Sequence, residues 1–351
     1  MTQNPLSADL NHILDHTRDL WNDLRGARLF VTGGTGFFGC WLLESFLFAN
    51  QQLDLKASAS VLTRRPDSVK QALPHLMLNP AVTLVSGDVR NFEFPKGEFS
   101  HVIHAASESS AHLSAGNLLA MFNTIVNGTQ RALEFASQAK AEKYLFTSSG
   151  AVYGPQDPAL EYLLEETPFR DYPGPPDMRS VYSQGKRAAE LLVRIYAGKM
   201  TTTIARCFAF VGPHLPLDSH FAAGNFIRDG LAGKPIEVNG DGTPYRSYLY
   251  AADLATWLWT ILIKGSSGAA YNVGSEQAIS IGELAQTVGG LFDPPAPVTI
   301  RQTPLAGELP ARYIPSTRLA AQMLGLDAWV SIREALRRTV EWQKTAFPIN
   351  L

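Results

Sequence analysis

Two cysteines, Cys40 and Cys207, are too few and too far apart in 351 residues to build a disulfide framework or a zinc site, and their apolar surroundings suit a reducing compartment. Long hydrophobic runs are also missing. The longest late candidate, Leu258 to Ile263 (LWTILI), falls far short of the roughly 20 residues that cross a bilayer, and the first thirty residues hold no charged segment followed by a continuous apolar stretch. Charge of one sign is not in excess. Thirty Lys plus Arg against 32 Asp plus Glu leave a formal net charge of -2, which argues against the broad basic face that attracts nucleic acid. None of the eight histidines stands at metal-ligand spacing, and His214, after Gly212-Pro213, reads as an ordinary polar residue. Repeats of fixed period and low-complexity tracts do not occur. The expectation is a cytoplasmic protein that uses no metal, nucleic acid or membrane.

What is present is a core. Hydrophobic residues make up 45% of the chain and charged ones 18%, a balance that lets a chain of this length bury two or three domains. Between Ser7 and Arg25, Leu10, Ile13, Leu14, Leu20, Trp21 and Leu24 recur at helical spacing and predict an extra N-terminal helix packed on the main domain. The same stripe on a membrane surface or a partner is the sharper reading, which its balanced charge disfavours.

Beyond it, strands and helices alternate. Compact apolar strands are predicted at Arg28 to Thr32, Ala57 to Thr63, Val82 to Ser86, His101 to His104, Lys143 to Thr147 and Thr202 to Arg206. Helical patterns lie at Trp41 to Ala49, Leu118 to Lys140 and Ser183 to Ala197. Right-handed crossovers wind such units into an α/β, Rossmann-like doubly wound parallel sheet. After about Gly212, Pro and Gly become frequent, and Gly240 to Arg246 and Phe292 to Pro297 read as loops. The expected division is a helical extension at 1–26, a dinucleotide-binding domain at 27–211, and a smaller, mainly substrate-binding region at 212–351 whose chain is free to send segments back to the sheet.

Thr32-Gly33-Gly34-Thr35-Gly36-Phe37-Phe38-Gly39 falls between the first strand and the first crossover helix. Glycines there permit a tight turn and let a pyrophosphate approach the helix N-terminus, where backbone N–H groups and the helix dipole favour an anion. The spacing is GxxGxxG, so the position within βαβ carries the reading of Gly33, Gly36, Phe37, Phe38 and Gly39 as cofactor-binding. The second strand ends Val61-Leu62-Thr63-Arg64-Arg65, with no carboxylate for an adenosine ribose. A guanidinium at Arg64 suits a 2′-phosphate, which tilts the expectation from NAD towards NADP. The alternative is that both arginines are simply solvated and the cofactor is NAD.

Tyr182-Ser183-Gln184-Gly185-Lys186 puts Tyr182 and Lys186 four residues apart at a helix start, on one face. A tyrosine with a pKa of about 10 acts as a base near neutrality only beside positive charge, which Lys186 and an oxidised nicotinamide would supply. Alone, YxxxK more often records a packed tyrosine and a surface lysine. Phe146-Thr147-Ser148-Ser149-Gly150-Ala151-Val152-Tyr153-Gly154, after a strand and before that helix, makes it specific.

In order and spacing, the glycine loop, SSGAVYG, YSQGK and the later GDGTPYRSYLYAADLA resemble the extended short-chain dehydrogenase/reductase family that acts on nucleotide sugars, over about residues 27 to 345. The resemblance implies Ser149 as the hydroxyl partner of the substrate oxygen, Tyr182 as acid/base, and Lys186 as the residue that holds the nicotinamide ribose and lowers the tyrosine pKa. It implies cofactor contacts at Asp88-Val89, Ala105-Ala106-Ser107, Thr147 and Cys207-Phe208, and nucleotide diphosphate contacts at Asn225, Arg246 and Arg312, with Glu108 near the substrate. Asp88 as a turn cap, Asn225 as a helix cap and Arg246 as a surface residue are the structural alternatives. The helical patterns Leu118 to Lys140 and Ser183 to Ala197 match those through which the family pairs as homodimers.

Departures narrow the implied chemistry. The family's 4,6-dehydratases have Asp-Glu where this chain has Gly150-Ala151, and its decarboxylases keep a glutamate at Ala151. The neutral SSGAV pattern resembles epimerases, which remove and return a hydride; a 4-keto-sugar reductase uses the same residues. Ile125 and Ala209 stand where asparagines are usual, with Asn123 or Asn127 as candidates to compensate for the first. A noncatalytic NADP sensor is the rival outside enzymology.

Overall fold

The computed structural model describes residues 4–106, 117–218 and 221–346. Six strands, β1 (Arg28–Thr32), β2 (Ser58–Thr63), β3 (Val82–Ser86), β4 (His101–His104), β5 (Lys143–Ser149) and β6 (Thr201–Cys207), join Ala270–Val273 in one seven-stranded sheet. The order is Ala270–Val273, β6, β5, β4, β1, β2, β3, and all neighbours are parallel. The chain runs outward from β1 to β3 and then crosses to β4 on the other side of β1. That reversal opens a crevice at the C-terminal strand ends, where doubly wound sheets hold ligands.

Both faces of the sheet are covered, which is why its strands read as continuous apolar runs rather than alternating ones. The helices are α1 (Ser7–Thr17), α2 (Phe37–Gln52), α3 (Pro66–Ala72), α4 (Pro74–Met77), α5 (Leu118–Gln138), α6 (Met178–Ile195), α7 (Ala222–Leu231) and α8 (Ala251–Lys264). On one face α2 and α8 share a core with Val31, Val61 and Leu145; on the other, α5 and α6 enclose Phe30, Tyr144 and Phe146. Every residue of α8 from Ala251 to Ile263 is buried, since α1 and α2 cover its outer side. LWTILI is therefore an all-round core helix. No helix among the described residues is long and apolar enough to cross a membrane.

The N-terminal stripe is consumed inside the fold. Leu10, Ile13 and Leu14 are buried, each worth about 1.5–3 kcal/mol against exposure. Polar bonds fix the helix in register: the Tyr250 hydroxyl donates to Asp9 at 2.7 Å, and His12 pairs with Asp253 at 2.8 Å. The start of α5 is capped by Asn117, which accepts from Ala120 N–H at 3.0 Å, and that of α6 by a reciprocal Asp177–Ser180 box.

Three expectations change past residue 212. The stretch Gly240 to Arg246 is not all loop: Tyr245–Ser247 is a strand between Ala278–Ser280, antiparallel, and Arg312–Tyr313, parallel. Three residues are too few to show a period in sequence, and both neighbours come from distant segments. Asn225 does not open its helix, which begins at Ala222. His214 is not an ordinary surface polar residue. It is nearly buried, has a φ of 67°, and lies 3.6 Å from Glu44, whose other partner is His75 at 2.8 Å.

Candidate active site

The glycines of the first turn do different jobs. Gly33 has φ 72°, and a Cβ there would sit 2.5 Å from the Ala105 carbonyl, so the loop can pass β4 only as glycine. A Cβ at Gly39 would meet the Gly33 oxygen at 2.3 Å; its absence lets α2 start directly behind the turn. Gly36 is different. Among the described residues, the only atom within 4 Å of a Cβ there is the Gly33 oxygen at 3.5 Å. It heads α2 without a side-chain cap, leaving first-turn N–H groups for an anion. This cradle fits the pyrophosphate of a dinucleotide. The Phe37 and Phe38 rings pack on the core, which leaves their backbone, not their rings, to face such a ligand.

The crevice beside the cradle has a volume of about 420 Å³ and is lined by Gly33, Gly36, Arg64, Asp88, Val89, Ala105 and Ala106, among others. Arg64 and Arg65 are exposed at its rim. Asp88 is both turn former and ion partner: its carboxylate accepts from the Arg90 backbone N–H at 3.0 Å and from the guanidinium at 2.8 and 2.9 Å. Hydrogen bonding to Arg90 holds its carboxyl below the usual range, with a further contribution from Arg64. Ser107 and Glu108 lie outside the described residues.

His104, not singled out in the sequence, braces the floor. Thr129 donates its hydroxyl to the Ile125 carbonyl at 2.7 Å, so it accepts from His104 Nε2 at 3.1 Å. His104 Nδ1 then accepts from Thr32 at 2.7 Å, and Thr32 accepts from Ala106 N–H at 3.2 Å. Burial, then repulsion from Lys186, pushes the histidine pKa down to about 3, so it stays neutral and holds one tautomer. The chain of bonds ties β1, β4 and α5 to the Ala105-Ala106 turn.

Ser149 ends β5 and accepts from Ala151 N–H at 3.1 Å as the chain enters the Gly150–Tyr153 turn. From α6, Lys186 reaches this strand with the Tyr182 ring beside its ammonium. Lys186 is buried, donates to the Thr147 carbonyl at 2.8 Å, and places its ammonium 4.7 Å from the Phe146 ring centroid and 5.7 Å from that of Tyr182. Burial lowers its pKa to about 8. The Cys207 thiol beside it is pushed up to about 12 by burial and is a neutral wall, not a nucleophile.

A buried ion pair supports these elements. Glu190, one turn beyond Lys186, takes the Ser148 hydroxyl at 2.7 Å and Arg206 at 2.8 Å, while Arg206 reaches the Tyr153 hydroxyl at 2.8 Å. Gly150 is required by its neighbours. A Cβ there would fall 2.6 Å from the Tyr313 hydroxyl oxygen and 2.7 Å from the Phe208 ring. Those two rings lie with centroids 4.7 Å apart and tilted by 34°.

Asn225 and Arg246 share a second cleft of about 450 Å³. Asn225 accepts from Arg228 at 3.1 Å, and Arg246 donates to the Tyr245 carbonyl at 2.8 Å. Arg312 does not line that cleft; its guanidinium is 5.0 Å over the Tyr245 ring, and its buried Nε has no hydrogen-bond partner among the described residues. Ile125 fills the α5–α6 seam, where a Cβ on Gly185 would meet it at 3.3 Å. Asn123 is half-buried and Asn127 exposed, and on the same helix Thr124 lines the crevice beside the glycine turn. No cluster of metal-ligating side chains occurs among the described residues.

This geometry meets its relatives over most of its length. Residues 29–274 match the model of the NAD dependent epimerase/dehydratase family. The chain belongs to that family. Family members are enzymes, and this member is 31% identical to UDP-glucuronic acid decarboxylase 1 of Arabidopsis thaliana over 315 residues, 89% of this chain and 69% of the relative. To UDP-glucuronic acid decarboxylase 6 of the same plant it is 30% identical, over 88% and 86% of the two chains. Among solved structures, dTDP-glucose 4,6-dehydratase from Streptomyces venezuelae, determined with NAD bound, aligns with a TM-score of 0.73 at 25% identity, covering 91% of this chain and 97% of that one. An epimerase from Methanothermobacter thermautotrophicus shares the fold with a TM-score of 0.77 at 22% identity, over 98% of both chains.

Proposed function

We propose that this family member is a nucleotide-sugar epimerase acting at C4. The observation that supports this over the family's lyase chemistry is the region beside Ser149: Gly150 and Ala151 bring no carboxylate, and the Tyr313 and Phe208 side chains occupy the space a side chain at 150 would need. Elimination of water needs further acid/base groups, whereas epimerisation needs one group that takes a proton and gives it back. A bound nicotinamide would accept a hydride from the sugar carbinol carbon and return it to the opposite face.

The chain's own residues supply the rest. Tyr182 takes the C4 hydroxyl proton and later restores it, with the Lys186 ammonium favouring the phenolate. Ser149 hydrogen-bonds the same oxygen as its charge changes. The Gly33–Gly39 turn holds the cofactor pyrophosphate, and Asn225 and Arg246 hold the diphosphate of the sugar nucleotide. Arg64 at the crevice rim favours NADP over NAD. The chain is 30–31% identical to two UDP-glucuronic acid decarboxylases, so loss of CO₂ from UDP-glucuronate is the second reading; Ala151, neutral where the family resemblance puts a decarboxylase glutamate, weighs against it. A 4-keto-sugar reductase would end after one transfer.

The test is incubation of the purified protein with UDP-glucose, UDP-galactose and UDP-glucuronate, with no nicotinamide added. A 4-epimer formed over many turnovers and abolished in Tyr182→Phe supports the proposal. Release of CO₂, or a single turnover, refutes it.

A further inference from the structure

Lys186 is a buried cation whose one hydrogen bond among the described residues goes to the Thr147 carbonyl at 2.8 Å, a dipole and not a carboxylate. A negative charge stands one turn further along the same helix, at Glu190, which is equally buried. That carboxylate faces Arg206, whose Nε and Nη2 donate to it at 3.0 and 2.8 Å, and it accepts the Ser148 hydroxyl at 2.7 Å. We propose that Glu190 is a positioning residue for proton transfer: it cancels the charge of Arg206 and serves as the shared counter-charge that keeps Lys186 an ammonium beside Tyr182. The inference rests on the roles given above to Tyr182 and Lys186.

The groups around the lysine leave that task to one residue. From β4, His104 is neutral, and from β6 the Cys207 thiol is neutral as well. The same strand adds Arg206, a second buried cation, and the Gly150–Tyr153 turn adds the Tyr153 phenol, whose pKa burial raises. On α6 itself stand Tyr182, Glu190 and, at the outer edge, Arg194, 3.4 Å from Glu190. Lys186 and Arg206 thus share one buried anion. Without it they would repel each other in a buried site, the condition under which a lysine gives up its proton. Burial lowers the Lys186 pKa, and Glu190 is among the groups that oppose the lowering. The backbone adds a second link. Thr147, Ser148 and Ser149 are consecutive on β5: the first binds Lys186, the second binds Glu190, and the third is the serine of the proposed reaction. One carboxylate therefore governs both the charge of the lysine and the strand that carries the serine.

The variants Glu190→Gln, Arg206→Met and the two combined separate charge from structure. The ion pair is neutral in the native chain and in the double variant, positive in Glu190→Gln and negative in Arg206→Met. In the full chain with lysine labelled with ¹³C at Cε, NMR follows the titration of Lys186, whose signal is identified by its loss in Lys186→Met. The midpoint is expected to fall by about one pH unit in Glu190→Gln, to rise in Arg206→Met, and to return to within about half a unit of the native value in the double variant. A merely structural pair would move both single variants the same way and the double variant with them; that pattern, or no movement, overturns the proposal. Should either single variant not fold, the other decides together with the double variant, which leaves no buried charge of the pair unmatched. In stopped-flow mixing of NAD-loaded protein with UDP-glucose or UDP-glucuronate, reduced-nicotinamide absorbance reports sugar oxidation. The midpoint of its rise with pH is expected about one unit higher in Glu190→Gln, because a neutral lysine no longer favours the Tyr182 phenolate, and at the native value in the double variant. A midpoint unchanged in Glu190→Gln overturns the proposal. Should neither sugar be oxidised, the proposed function falls, and the NMR titration still decides what sets the charge of Lys186.

Discussion

The ammonium of Lys186 donates to the main-chain carbonyl of Thr147 at 2.8 Å, so the helix that carries Tyr182 is pinned to the strand that ends in Ser149. Proton transfer between side chains on separate elements depends on such a tie, because a misplacement of about 1 Å costs on the order of a hundredfold in rate. Burial holds this ammonium at a pKa of about 8 against 10.5 for an ordinary lysine. Between those values the unfolded chain binds more protons than the folded one, so stability rises with pH; below about 8 the cost of burying the charge is present in full. Lys186→Met removes that cost. Its melting temperature relative to the native chain is expected to be most favourable at pH 7 and to lose ground by pH 9.5, a trend that paired thermal melts detect; a difference independent of pH contradicts it.

The glycines at 33 and 36 should fail in opposite ways. Gly33→Ala combines φ 72° with a backbone collision at 2.5 Å, and a loss of several degrees in melting temperature is expected. Gly36→Ala meets nothing closer than 3.5 Å. It should melt within about 2 °C of the native chain while dinucleotide affinity, read by nicotinamide fluorescence, falls tenfold or more.

Arg64 lines the crevice with no acidic residue at the end of β2 to favour an unphosphorylated ribose. Arg64→Ala is expected to weaken NADP binding about tenfold and NAD binding less than twofold. Titration calorimetry with both cofactors reads the ratio. Equal losses would assign the arginine to the shared pyrophosphate or to no contact at all.

Pairing into a homodimer through α5 and α6 is expected from the apolar residues they leave exposed. Leu119 is 70% exposed, Leu191 60% and Ile195 63%, on helices whose other faces are buried in the core. Leu191→Glu with Ile195→Glu should convert a dimer to a monomer in light scattering without lowering the melting temperature of the fold by more than a few degrees.

Much of this was legible in order and spacing. The strands and crossover helices of the sheet follow from runs of apolar residues long enough to show a period, and Gly33, Gly36 and Gly39 from their place where β1 turns into α2. Tyr182 and Lys186 share a helix, so four residues of spacing bring them to one face. Tyr313 was not legible as a neighbour of Gly150, because a two-residue strand has no period and its partner at Tyr245–Ser247 is remote in sequence. Nor was the role of His104, whose bonds to Thr32 and Thr129 join elements that only the folded sheet brings together. Arg312 was grouped with Arg246 by motif, but the strand that carries it turns its guanidinium onto Tyr245.

The proposal that hydride leaves and returns to one carbon is tested most directly with UDP-[4-²H]glucose, by locating the label in the product by mass spectrometry and NMR. Reversible oxidation at C4 predicts UDP-galactose carrying deuterium at C4, accumulated in large excess over protein with no nicotinamide added. Deuterium found at C6 with loss of water, or product limited to a single turnover per protein, would contradict it.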